Sequence, residues 1–307
     1  MLGLAKDDLG WSAQRATAIQ DALNRALTRT AKCRQVVPKG QNQLGQRAVL
    51  VRTIGAPPAP AAGVALLPAS LAVLPDKVSS PIHLYVDFLI DDARAADEAV
   101  LMSLVEAAAA QLGSLEDGEI IMGGTAGAPG VGEGRVELIS GLPRAQLNNI
   151  TGASTEIPNL VGQILIVGTP RARPTGVELV EAIASGMATQ QTADRPGRYE
   201  LLLHSFLLAT LGLPAAPGAA PFTHVVEQLI GSSEIAGTPA LSRTRIHRQN
   251  ETGAILFRLD PPAVDTVHTM LPTLTLLGRN LGQTHLRIEE EIVVRILDQK
   301  AIHHITY

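Results

Sequence analysis

The sequence predicts an α+β fold built from several parts, and three observations carry that expectation. Helical and strand-like segments follow one another without regular βα alternation, and no segment repeats. From Ala254 onward the pattern turns to β, with AILFRL, LTLLGR and THLRIEEEIVVRILD in succession. Between two early strands lies an apolar, proline-rich excursion that reads neither as a helix nor as a solvated linker. The 307 residues suit one large domain or two ordinary ones. With 46% hydrophobic and 18% charged residues, there is ample material for a core and little case for global disorder.

The elements follow in order. Leu9–Thr30 reads as an amphipathic helix, capped by Asp7 or Asp8, with Trp11, Ile19, Leu23 and Leu27 at helical spacing. Two readings fit this stripe: packing on the subunit's own core, or a groove for another peptide. Gln46–Ile54 and Ile82–Ile90 read as strands. Between them, five prolines from Pro57 to Pro75 exclude a helix and a central strand. So apolar a segment is costly to expose, so it is expected to lie on a neighbouring subunit. Asp97–Leu112 is a second helix, with Leu101, Leu104, Val105 and Ala108 on one side. Thr175–Met187 is a helix, Tyr199–Leu203 a strand, Ser205–Thr210 a short helix and Pro221–Ile230 another helix. In the last run Leu286, Ile288, Ile292, Val294 and Ile296 share one face at period two, and Glu290 interrupts it.

Charge and motifs narrow the function. The net charge is −4 and no basic block stands out, so nucleic acid is not an expected partner. Cys33 is the one cysteine. It permits no intrachain disulfide and fits a reduced, cytoplasmic setting. Its neighbours Lys32 and Arg34 are expected to lower its pKa. The N-terminus lacks a basic region followed by an apolar core, so no signal peptide is read there. The Gly63–Leu74 tract is broken by Pro68 and too short for a bilayer, so no membrane partner is expected.

Six glycines between Gly123 and Gly134 suggest a phosphate loop. A Walker loop needs a lysine and a hydroxyl after the glycines, and no lysine occurs between Lys77 and Lys300. A Rossmann loop opens a helix, whereas Gly132 and Gly134 lead into RVELI. The stretch reads as a flexible joint. The histidines are dispersed, with no pair at i, i+4, and no metal site is expected. No GxSxG elbow occurs, and no catalytic residue is assigned. Glu289, Glu290 and Glu291 read as a solvated or interface-paired face.

The order of segments resembles the encapsulin shell proteins, which share the tailed-phage capsid fold. AKCRQVVPKG after the first helix, YVDFLIDDARAADE before the second, and LGSLEDGEIIMGG at that helix's end are similar to the family's pattern. So are ADRPGRYELLL, VEQLIGSSEIAGTPAL and the C-terminal LRIEEEIVVRILDQKAI. The chain departs from the pattern at Ile54–Ser80, where its extended loop is unusually rich in Pro and Ala.

The resemblance implies a tailed-phage major-capsid-like fold with a peripheral domain, an extended loop and an axial domain. The expected division is 1–45 for the N-terminal helix and arm, 46–81 for the extended loop, 82–140 for the peripheral long helix, 141–231 for the axial domain and 232–307 for the C-terminal peripheral strands. It implies a non-catalytic subunit that assembles in many copies into an icosahedral, cytoplasmic nanocompartment. Such a shell encloses a cargo enzyme bearing a docking peptide, with Ile19, Leu23 and Leu27 contributing to the docking groove. Thr192, Asp194 and Arg195, in TADRPGR, match the position lining the family's five-fold pore. Some members bind flavin beside an aromatic residue in the strand after the loop, where Tyr85 and Phe88 stand, although the matching tryptophan is absent. The alternatives are a phage or prophage major capsid protein and, more remotely, an enzyme with an unrecognised site.

Overall fold

The computed structural model describes residues 11–51, 54–55, 72–73, 77–79, 81–122, 135–136, 145–146, 175–192, 197–214, 216–231, 235–237, 253–298 and 301–306. Helix α1 (Ala13–Thr30) starts later than the sequence suggested. Its cap is Ser12, whose Oγ accepts from the Arg15 amide at 3.2 Å. The short α2 (Cys33–Val36) follows.

Strands β1 (Val49–Val51), β2 (Ile54–Gly55), β3 (Ala72–Val73) and β4 (Lys77–Ser79) follow. Val49 pairs with Ser79 and Ile54 with Val73, so the described part of the loop is a two-stranded antiparallel arm. The prolines from Pro57 to Pro68 lie outside the described residues. Next come β5 (Ile82–Asp91), α3 (Asp92–Ala95) and α4 (Glu98–Met122).

Helix α4 runs ten residues beyond the expected end at Leu112, through Gly113. A Cβ on Gly113 would lie 2.7 Å from Thr30 Oγ1 and 3.0 Å from the Ala31 nitrogen. The glycine is there to let α4 approach the end of α1, not to stop the helix. By length and composition Glu98–Asp117 is apolar enough to cross a membrane. Leu101, Leu104, Val105 and Leu112 are instead packed in the core beside α1, which accounts for that composition. The glycine-rich joint, Gly123–Gly134, lies outside the described residues.

The remaining elements are β6 (Arg135–Val136), β7 (Ala145–Gln146), α5 (Gly176–Thr192), β8 (Tyr199–Leu203), α6 (Ser205–Leu211), α7 (Phe222–Ile230), β9 (Ile235–Gly237), β10 (Gly253–Arg258), β11 (Val264–Asn280), β12 (Gln283–Ile296) and β13 (Ile302–Thr306). Two sheets organise them. A three-stranded antiparallel sheet has the order β11-β12-β5. A four-stranded mixed sheet has the order β13-β10-β8-β9.

The second sheet separates two cores. Ile255, Phe257, Leu202 and Ile302 face the larger core, with α1, α4 and the three-stranded sheet. Ala254, Leu256, Leu201 and Ile305 face the smaller one, with α5, α6 and α7. Across residue 231, β10 and β13 pair with β8 and not with β11 or β12. The cause is legible in β10: AILF is apolar on both faces, and such a strand has to lie between two layers.

Candidate functional site

The predicted site residues are scattered by the fold. Ile19, Leu23 and Leu27 are fully buried in the larger core, facing α4 and the sheet. Of the two readings of that stripe, the structure supports packing on the subunit's own core. Within the single subunit no accessible surface remains on these three side chains.

Tyr85 and Phe88 lie on β5 at odd and even positions, so they point to opposite faces of the sheet. Phe88 belongs to the core. Tyr85 lies under the Arg287 guanidinium, 4.0 Å from ring centroid to Cζ. Burial raises the Tyr85 pKa despite that guanidinium. Thr192 is the last residue of α5, and Asp194 and Arg195 lie outside the described residues.

The open face of the three-stranded sheet is held by ion pairs that the period-two pattern placed there. Arg287 donates from Nε and Nη2 to the Asp87 carboxylate at 2.7 and 2.9 Å. His83 and Glu289 meet at 2.9 Å. Glu289 accepts from Thr275 at 2.8 Å, and its pKa is lowered chiefly by the His83 contact. Glu289 and Glu291 therefore fit the expectation of a partly solvated, paired face.

Glu290 does not, and it is the main correction. It points into the core and is fully buried. Arg34, on α2, bonds Glu290 with one nitrogen and Glu116, on α4, with another. His268, on β11, lies 3.6 Å from Glu290, too long for a hydrogen bond. Glu116 and Glu290 each keep one buried oxygen without a hydrogen-bond partner among the described residues. Burial pushes the Glu116 pKa up to about 8, and the Glu290 charge adds to this against the pull of Arg34. For Glu290 burial acts upward, but His268 and Arg34 outweigh it and hold its pKa low. For Arg34 burial acts downward, and the two carboxylates more than offset it.

Beside the cluster, Asp117 accepts from the Lys32 and Cys33 amides at 3.0 and 2.8 Å. Burial first, then the Asp117 charge, pushes the Cys33 thiol well above its ordinary pKa. The expected lowering by Lys32 and Arg34 is overturned. Lys32 turns away to the Arg29 carbonyl, and Arg34 is engaged by the two glutamates. Among the described residues no His, Cys, Asp and Glu group is arranged to hold a metal.

The fold itself is shared. No family model matches the sequence, and no curated protein does. A virus-like particle protein from Pyrococcus furiosus matches over 94% of this chain and 98% of its own, at TM-score 0.65 and 13% identity. The capsid of Myoviridae phage XM1 matches over 88% and 89%, at TM-score 0.56 and 10% identity. The chain has the tailed-phage capsid fold. The capsid of an empty GTA particle also matches, over 91% and 90%, at TM-score 0.51 and 13% identity. These matched proteins are capsid and particle subunits by description. Strands β1 to β4 fall within residues 46–81, where the sequence reading expects the extended loop.

Proposed function

We propose that this protein is a shell subunit that tiles a closed icosahedral container with copies of itself and makes or breaks no bonds. The observation that carries this reading is the capsid fold over 94% of this chain and 98% of a virus-like particle protein. The arm supports it. A two-stranded ribbon is marginal alone and gains stability from packing on a neighbour. The finer reading is an encapsulin-type nanocompartment in the cytoplasm, holding a cargo enzyme by a docking peptide. The likeness to the virus-like particle protein, at TM-score 0.65, supports it, and the likeness to the phage capsid, at 0.56, supports the alternative of a phage or prophage capsid. The docking peptide in this reading does not rest on Ile19, Leu23 and Leu27. The loop after Thr192 borders a pore, and no flavin is assigned.

Electron microscopy and native mass measurement of the purified protein test the proposal, together with identification of what co-purifies. Round closed particles containing a protein support the nanocompartment. Particles containing nucleic acid move the assignment to a phage-type capsid. Monomers and small oligomers alone, at high concentration, overturn the shell.

A further inference from the structure

Exposed apolar residues are not spread evenly over this chain. Of the ten large apolar side chains exposed among the described residues, five lie between Val177 and Leu229, on α5, α6, α7 and the link between the last two. Single exposed apolar residues are ordinary, whereas a grouped set marks a contact surface.

Helix α7 shows how the group arises. At about 100° per residue, Phe222, Val225, Val226, Leu229 and Ile230 share a sector of about 140°. The smaller core takes one side of that sector, with Val226 and Ile230 buried. On the other side Val225 is 44% exposed, and Leu229 is exposed as well. The apolar sector is thus wider than the core it serves. Phe222, partly buried, joins this strip to its surroundings. Its amide donates to the Leu213 carbonyl at 3.3 Å, and Leu213 is 61% exposed. A Cβ on Gly176 would lie 2.3 Å from the Phe222 ring, so the start of α5 is seated on that ring. The exposed Val177 follows directly. Phe222 is therefore the common neighbour of an apolar strip drawn from α5, α7 and the link before α7.

We propose that this strip is a contact made with a second copy of this chain, an inference that rests on the shell reading. Its charge supports that occupant. No Lys or Arg occurs on α5, α6 or α7, so a polyanion or an anionic membrane surface finds no cation there. Helix α6 carries no charged residue, and the one acidic side chain of α7, Glu227, meets His224 at 3.1 Å. An apolar protein surface is the partner this strip accepts without stranding a charge. The capsid fold, shared with particle and capsid subunits, places copies of one chain side by side, and every copy carries the strip.

Val225→Asp and Leu229→Asp test the proposal, with Val225→Met as the apolar control. Native mass measurement and electron microscopy read assembly, and urea unfolding reads the unassembled subunit. Each aspartate is expected to raise the concentration at which closed particles form by roughly tenfold or more, with an unchanged urea midpoint. Val225→Met is expected to assemble as the wild-type protein does. Closed particles formed by both aspartate variants at the wild-type concentration overturn the contact and leave the shell standing. A lower urea midpoint in both overturns it too, because the strip is then covered by its own chain. Loss of a co-purifying protein from particles that still form gives the strip to that protein and overturns the self-contact.

Val225→Cys supplies a readout without added charge. Cys33 is the one native cysteine and is buried, so a small thiol reagent reports on position 225. Labelling in unassembled subunits and protection in particles support the contact. Equal labelling in both overturns it while the shell stands. Wild-type protein that stays monomeric at high concentration overturns both readings.

Discussion

Leu281 stands at the first position of the two-residue turn joining β11 and β12, 95% exposed and at φ 51°. Gly282 follows at φ 77°, and Asn280 pairs with Gln283 across the turn. Two positive φ angles in succession make the type I′ pattern, for which Asn-Gly is the preferred pair. A leucine in the left-handed region costs about 1–2 kcal/mol, and at this exposure it recovers nothing from packing. Leu281→Asn is expected to stabilise the subunit by about 1 kcal/mol, raising its unfolding midpoint by about 2 °C. Thermal unfolding of unassembled subunits checks this, and an unchanged or lower midpoint refutes it. Glu290 shows where reading residues from sequence stopped. Its place on the apolar face of β12 was plain from the period-two pattern. Its partners were not, because Arg34 lies 256 positions away and no local spacing links the two. The default of a solvated acidic face holds for Glu289 and fails for Glu290, since only the fold brings a guanidinium to the break.

At the scale of the element, Gly113 separates two effects that act in opposite directions. The substitution Gly113→Ala improves the helix propensity of α4 by about 1 kcal/mol. It also places a methyl 2.7 Å from Thr30 Oγ1 and 3.2 Å from Ala31 Cβ. Overpacking of this kind costs about 1–3 kcal/mol, and the Ala31 backbone cannot yield as a flexible side chain would. The net expectation is destabilisation by about 1 kcal/mol, read as a lower urea midpoint with an unchanged slope. A rise in the midpoint would show that α1 and α4 approach less closely. The same glycine explains why α4 was read too short. In sequence, a glycine near a helix end signals a stop, and whether a second helix requires it is a tertiary fact. Strand β8 was bounded correctly at Tyr199–Leu203, and β5 to within one residue. The length of β11 was not legible, because its register shifts between His268 and Gly278 break the period that would reveal it.

For the whole molecule, the shell proposal requires surfaces that one subunit leaves open and its neighbours cover. The capsid fold was legible only as an order of segments along the chain. Which strand joins which sheet was not, because β10 and β13 reach β8 across long separations in sequence. The arm is where assembly and folding can be told apart. On β1, Val49 is fully buried within the subunit whereas Leu50 is 55% exposed. Leu50→Asp is therefore expected to change subunit stability by no more than about 0.5 kcal/mol, as surface substitutions do. If the arm lies against a neighbour, the same carboxylate is desolvated there at a cost of several kcal/mol, repeated at every copy of the contact. The expected outcome is loss of closed particles in native mass measurement, with unchanged circular dichroism and unfolding midpoint for the unassembled subunit. Particles that form as readily as those of the wild-type protein would mean that Leu50 faces solvent in the assembly, and that the arm grips its neighbour by other residues.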